Sequence, residues 1–360
     1  MAVTPRLFYG LCGEGLGHFS RAAVLVPRLL DAGYSVELFA SSRVADLCSS
    51  RFSGCCVHRI PGLRLRYRAN RLDVPRTVLS CIDMALRGAR ASLYVREQAR
   101  LRLPIAAISD YDPVVAWAAA AIRLPLIALD HQQIATECPV DLGSSARLAL
   151  SLLRLSNRMT YRQPNLRIIT SFFQAPLRER RGPTTRTLIA PVLRPEVVQR
   201  HSAWGKHLVV YQTSRTLEWL DRILNAIPGE KRVYGAGEKQ SGQTEHAFDE
   251  NCFLEDLASC RFALVNGGHT TISEALYFGK PILCFPIRGQ AEQEMNAHYV
   301  AKLGFGKDYR PASGEVPDFG EFLSQEESIR ERIARRSDRC GNDELLRTVL
   351  GRLAEWSGKV

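Results

Sequence analysis

Short apolar runs closed by glycine, proline or polar turns alternate along this chain with longer segments of helical period. Residues 7–11 predict a buried strand and 20–30 a helix that stops at Asp31-Ala32-Gly33. Strands follow at 35–40, 105–108, 126–129 and 166–170, with helices at 72–101, 113–122 and 144–160 between them. The helix at 113 opens on proline, which suits a first turn. Ala190-Pro191-Val192-Leu193-Arg194-Pro195 breaks the pattern, which then restarts. Strands are expected at 207–211, 232–234, 262–265 and 281–285, and helices at 217–226, 270–278, 291–303, 329–336 and 343–356. Strands alternating with helices imply an α/β chain of two doubly wound, Rossmann-like domains with parallel sheets. The expected division is 1–190, a linker at 191–195, 196–342, and a closing helix over 343–360.

The chain of 360 residues has room for two domains of ~150 residues each. Its 46% apolar content excludes wholesale disorder. A bilayer span needs about 20 nearly unbroken apolar residues. The best stretch, 104–129, is interrupted by Asp110, Asp112 and Arg123. The apolar run after Arg6 ends at Gly13, too short for a secretory signal. The ten cysteines include no Cys-x-x-Cys and mostly lie in apolar runs, so they read as reduced core thiols of a cytoplasmic protein.

Charge changes that picture in one respect. Residues 1–195 carry 27 arginines, no lysine and 13 acids, a net of +14, while 196–360 carry a net of −3. Residues 59–102 alone hold 11 arginines against three acids. This stretch reads either as a solvated basic face or as a surface for anionic lipid or an acidic acceptor. No helix-turn-helix, zinc finger or aromatic RNA-binding strand supports a nucleic-acid partner.

In doubly wound folds ligands lie beyond the carboxyl ends of strands, so the loops there hold the candidate chemistry. The first is Gly13-Glu14-Gly15-Leu16-Gly17-His18. Gly15 and Gly17 allow close approach to a ligand, and His18 stands where an imidazole either braces the loop or takes a proton from a substrate. The second, Ser109-Asp110-Tyr111-Asp112-Pro113, offers Asp112 as the helix cap and frees Asp110 to orient a cleft histidine. The third is Asp130-His131-Gln132-Gln133, where His131, Gln132 and Gln133 are candidate acceptor contacts. In the second half, Asn266-Gly267-Gly268-His269-Thr270-Thr271-Ile272-Ser273-Glu274 turns on two glycines into a helix. Its backbone N–H groups and hydroxyls make an anion site suited to a diphosphate. Glu274 shares a helix face with Thr270 and Thr271, placed to accept from two ribose hydroxyls.

This segment, followed by Gly279-Lys280-Pro281, Glu292-Gln293 and Asn296-Ala297, resembles the donor half of GT-B-type, nucleotide-sugar-dependent glycosyltransferases. The similarity is strongest to the branch of the peptidoglycan N-acetylglucosaminyltransferase and the glucuronosyl- and natural-product glycosyltransferases. Gly17-His18 and Asp110 match as well, so the resemblance covers both halves. It implies a GT-B architecture whose two domains face a cleft. It implies that Gly267, Gly268, Thr270 and Thr271 hold the diphosphate with His269 beside it, and that Glu274 holds the ribose. Glu292 and Gln293 would bind the sugar, Phe253 and Leu254 would present backbone to the base, and Gln212, Thr213 and Ser214 would line the diphosphate from the other side.

Retaining relatives often carry a glutamate eight residues before the position of Glu274, where this chain has Asn266. Inverting transfer from a nucleotide-diphosphate sugar, of UDP type, to a hydroxyl acceptor is therefore expected, with His18 as base and Asp110 as its brace. A lipid-linked or glycan acceptor would suit the arginine-rich stretch and a peripheral place on the membrane. No metal or other cofactor is expected, because a helix N-terminus and hydroxyls can stabilise the departing diphosphate. Gly15-x-Gly17-His18-x-x-Arg21 also resembles nucleotide-sugar hydrolases, and the fold hosts epimerases, so hydrolysis, epimerisation and simple sugar-nucleotide binding are the alternatives.

Overall fold

The computed structural model describes residues 4–68, 70–140, 142, 146–212, 220–235, 244–245, 249–310 and 315–358. In the first half the strands are β1 (Arg6–Leu11), β2 (Ser35–Ala40), β3 (Cys56–Arg59), a small hairpin of β4 (Tyr67–Arg68) and β5 (Arg71–Leu72), then β6 (Ala106–Asp110), β7 (Leu126–Asp130), β8 (Leu166–Thr170) and β9 (Thr185–Ile189). Apart from the hairpin they form one parallel seven-stranded sheet in the order β3-β2-β1-β6-β7-β8-β9. The second half contributes β10 (Leu208–Tyr211), β11 (Lys231–Tyr234), β12 (Thr244–Glu245), β13 (Phe262–Val265), β14 (Ile282–Cys284) and β15 (Gly306–Asp308). These make a parallel six-stranded sheet in the order β12-β11-β10-β13-β14-β15. In each sheet the order reverses beside the first strand, which opens a crevice there for a ligand.

The central strands are apolar along their whole length because helices cover both faces of the sheet; β1, β6, β7 and β13 are buried at every position. The two domains are not independent cores. Ile134, Phe172 and Phe173 of the first half pack into the hydrophobic cluster of the second. The last helix, Asn342–Ser357, returns to the first domain and buries Leu345, Val349 and Leu353 against β1 and β2. The crossover is pinned at the linker: Asn342 accepts from the Leu193 N–H (2.9 Å) and donates to the Leu193 carbonyl (2.7 Å), and the Gly341 N–H donates to the Pro191 carbonyl.

Several expected elements differ. The first helix begins at Gly17 rather than residue 20, so His18 sits in its first turn. The long helix runs Val74–Leu101, capped by Asp73. Helices Ser42–Arg51 and Glu250–Ser259 and strands β3, β9 and β15 were not expected. Of the ten free cysteines five are buried, but Cys56, Cys81, Cys252 and Cys340 are exposed, so the thiols are not all core residues.

Candidate active site

The loops that follow β1, β6, β7 and β13 converge on one cavity of about 1150 Å³ between the domains. The domains meet closely at its floor. A Cβ on Gly17 would stand 2.5 Å from Thr270 Oγ1, so only glycine lets the two glycine loops approach. Gly267 has φ of +103°, and a Cβ there would lie 2.8 Å from the Gln293 carbonyl oxygen, which is why two glycines precede the helix.

On the first-domain side His18 is buried, and its Nδ1 lies 2.6 Å from Asp110 Oδ1. Asp112 caps the next helix through the Val115 N–H (2.8 Å), leaving Asp110 to the histidine as the spacing predicted. Burial raises the Asp110 carboxyl, but the Arg21 and His18 charges outweigh it and hold it below the usual carboxylate range. An ionised Asp110 only accepts, so Nδ1 carries the proton and Nε2 is the nitrogen able to act as base. Burial lowers the proton affinity of His18, and the Asp110 carboxylate, followed by the Cys12 thiol, more than reverses this, so His18 titrates above an ordinary histidine. Nearby carboxyls lose solvation instead: burial pushes Asp112 up to about 7 and Asp130 up to about 6.

The second-domain side is built differently. The helix His269–Tyr277 starts at Gly268 with no side-chain cap, so its free N–H groups face the cavity. His269 is buried against it with neither ring nitrogen bonded, and burial holds it well below the usual histidine range, neutral. One turn on, Glu274 is buried and gripped by Arg194 of the linker, Nε to Oε1 at 2.7 Å and Nη2 to Oε2 at 3.0 Å. Each carboxylate oxygen accepts one bond from Arg194 and keeps a lone pair for a further donor. Arg194 also pairs with Glu250.

The family model of glycosyl transferase family 1 matches residues 5–325, across both domains and the cavity between them. The chain belongs to that family. It is 25% identical to a glycosyltransferase of Methanosarcina acetivorans over 382 aligned positions, covering 97% of this chain and 98% of that protein. A glycosyltransferase of Methanosarcina mazei is 26% identical over 326 positions, covering 82% and 83%. Among solved structures, Phytolacca americana UGT2 complexed with UDP-2-fluoro-glucose and pterostilbene matches with a TM-score of 0.71 at 13% identity, over 98% of this chain and all of that one (100%). The calicheamicin glycosyltransferase CalG4 matches with a TM-score of 0.63 at 18% identity, over 98% and 100%. This family 1 glycosyltransferase thus has the GT-B fold expected of it.

The glycosyltransferase cavity gathers Gly15, Gly17, His18, His131, Gln132, Phe253, Gly268, His269, Thr270, Thr271, Glu274, Glu292 and Gln293 in its wall. Several expected roles change. His131 is not free for an acceptor: Nδ1 meets the Thr170 carbonyl (2.8 Å), Nε2 meets Asn296 Oδ1 (2.7 Å), and its ring stacks on His269 at 3.9 Å. Gln132 bridges the domains by donating to Glu292 (3.0 Å), while its own Oε1 is buried without a partner. Gln133 turns away, held by Asp130 and by Arg167. Gln293 Oε1 accepts from the Ile287 N–H (3.0 Å). Phe253 and Leu254 lie inside the helix Glu250–Ser259, where the Phe253 N–H donates to Asp249; only the Phe253 ring faces the cavity, and Leu254 is core. Gln212 is buried, accepting from Asn266 (2.7 Å), and Gly267 lies behind the wall. Thr213 and Ser214 fall outside the described residues. Among those residues no cluster of side chains could hold a metal ion.

Two site residues escaped the reading of the sequence as contributors. Arg21 donates from Nε to Asp110 Oδ2 (2.7 Å) and from Nη2 to Oδ1 (2.6 Å). Arg194 looked like linker punctuation and instead holds Glu274. Arg21 entered the sequence reading only as the end of the Gly15-x-Gly17-His18-x-x-Arg21 pattern, and its spacing of three from His18, one helical turn, was the sign that the two meet.

Proposed function

We propose that this glycosyltransferase moves a sugar from a UDP-sugar, with inversion, to the hydroxyl of an amphiphilic, lipid-linked acceptor at an anionic membrane surface. The observation that carries the reading is the opposition across one cavity of a base, His18 on Asp110, and an uncapped helix N-terminus with Thr270 and Thr271. His18 Nε2 takes the acceptor proton as the hydroxyl oxygen attacks the anomeric carbon. The bond to the diphosphate breaks on the opposite face, and its charge comes to rest on the helix N–H groups and hydroxyls. Glu274 takes the ribose hydroxyls, and Glu292 the sugar. The UDP-2-fluoro-glucose named with the Phytolacca structure supports a UDP donor. The chemistry needs no metal, because the developing charge meets fixed dipoles.

The acceptor side supports an amphiphile. The arm of the cavity away from the helix N-terminus is walled by Leu63, Leu65, Met84, Trp117, Leu153 and other apolar side chains. Val78 of helix Val74–Leu101 and Leu152, Leu155 and Met159 of helix Arg147–Thr160 line the cavity yet stand about half exposed. On the same two helices Leu79 (66%), Leu86 (68%) and Leu148 (74%) are still more exposed. Large apolar side chains left exposed on elements that line a cavity mark an interaction surface. Arg76, Arg87 and Arg90 of helix Val74–Leu101 and Arg64, Arg66 and Arg68 just before it are exposed as well, which favours anionic lipid. Among the described residues no helix is long and apolar enough to cross a membrane.

The test is UDP release from a panel of UDP-sugars, with and without a membrane-lipid extract. The reading predicts release that depends on the extract. Release without any acceptor would make the protein a hydrolase, and binding without turnover a sugar-nucleotide binder.

A further inference from the structure

Arg21 is buried (4% exposed) one turn below His18 on the same helix, and its guanidinium embraces Asp110 with both forks. Its Nη2 also lies 2.9 Å from His18 Nδ1. Arginine only donates, and Nδ1 already carries the proton given to Asp110, so this short contact is not a hydrogen bond. It sets a permanent positive charge against the ring edge. Each time the imidazole gains a proton, two cations share one carboxylate at that distance.

Other titratable groups also face the ring. On the same loop Cys12 raises the proton affinity of His18, and Glu14 feels its charge. From the element after β6, Asp112 feels it too. Tyr9 on β1 and Asp130 on β7 act on Arg21, and Arg21 lowers His131 and His269 across the domain boundary. By distance, the Asp110 carboxylate at 2.6 Å and the Arg21 guanidinium at 2.9 Å are two permanent charges of opposite sign in direct contact with the ring.

We propose that Arg21 is a positioning residue for catalysis: it locks the Asp110 carboxylate in the orientation that aims His18 into the cleft, and its charge limits how tightly His18 holds a proton. The result is a base that releases its proton nearer neutrality than an aspartate–histidine pair alone would allow. The proposal rests on the reading of His18 as the base of transfer.

The test needs no acceptor. The His18 ring resonance, identified among the eight histidines by its loss in His18→Gln, is titrated by NMR in the intact protein. Arg21→Met and Arg21→Gln remove the charge, and glutamine keeps a donor for Asp110 should the methionine variant fail to fold. Arg21→Lys keeps the charge. In the neutral variants the midpoint should rise by more than half a unit, toward about one unit or a tenfold gain in proton affinity, and in Arg21→Lys by less than that. A neutral variant whose midpoint falls, or rises by about half a unit or less, overturns the proposal. So does an equal rise in Arg21→Lys. Because the readout is protonation, its failure is separable from a failure of the transferase reading, which the release assay decides.

Discussion

The two halves of the cavity handle polar groups in opposite ways. On the first-domain side the carboxylates are matched: Asp110 has three side-chain donors, Asp112 accepts from the Val115 N–H, and Asp130 accepts from the Gln133 N–H and from the Gln133 and Tyr161 side chains. On the second-domain side the helix N-terminus is uncapped and His269 is buried with both nitrogens unbonded. Leaving buried polar groups unmatched costs about 1–3 kcal/mol each, so folding alone gives no reason for it. A ligand that brings negative charge supplies one. On the proposed reading, the half whose carboxylates are matched holds and moves a proton, and the half with the uncapped helix receives an anion.

The comparison can be broken by removing its proton carrier. His18→Ala should lower turnover by about 10²–10⁴-fold while UDP binding stays, measured by initial rates and calorimetry side by side. A parallel loss of UDP binding would show that the halves are not separable.

Asp110→Asn should act on both stability and pH. It leaves Arg21 buried without its anion, a change of about 3–5 kcal/mol in denaturant unfolding. The rate of the wild type should climb with pH as His18, raised by Asp110, loses its proton; in Asp110→Asn the climb should move to lower pH. A climb that stays in place would detach the carboxylate from the base.

Glu274→Gln tests the other half. It weakens charged hydrogen bonds worth about 1.5–3 kcal/mol, so UDP should bind roughly tenfold to a hundredfold more weakly with the pH profile unmoved. Unchanged UDP affinity would leave Glu274 as a structural partner of Arg194. The last test is on the arginine-rich surface. Neutralising Arg64, Arg66 and Arg68 together should weaken cosedimentation with anionic vesicles by about 1 kcal/mol per arginine at low salt and less at high salt. Equal, negligible binding of the wild type to anionic and neutral vesicles would point to a soluble acceptor.

How much of this was readable in the chain follows from the range of the interactions. Buried central strands such as residues 7–11, 126–129 and 262–265 appear as apolar runs because helices cover both faces. The edge strands β3, β9 and β15 are half-covered, and Cys-Val-His-Arg or Gly-Lys-Asp carries no such run. The glycine loops were legible because a tight turn into a helix needs glycine locally. The Asp110–His18 contact was inferred through the local logic of caps, which assigned Asp112 elsewhere. Arg21 joins Asp110 across 89 positions and Arg194 joins Glu274 across 80, and no local pattern reports such pairs. His131 was misplaced for the same reason: a polar residue past a strand end looks like a ligand contact until Asn296, 165 positions away, takes its nitrogen.

The central claim is that a proton-holding half and an anion-receiving half act on opposite faces of one sugar. The anomeric configuration of the product tests it most directly. With an α-linked UDP-sugar and the acceptor from a membrane-lipid extract, the proton coupling at the transferred anomeric centre should report a β-linkage, and His18→Ala should make that product about 10²–10⁴-fold more slowly. An α-linkage, or free sugar with no linked product, would contradict the account.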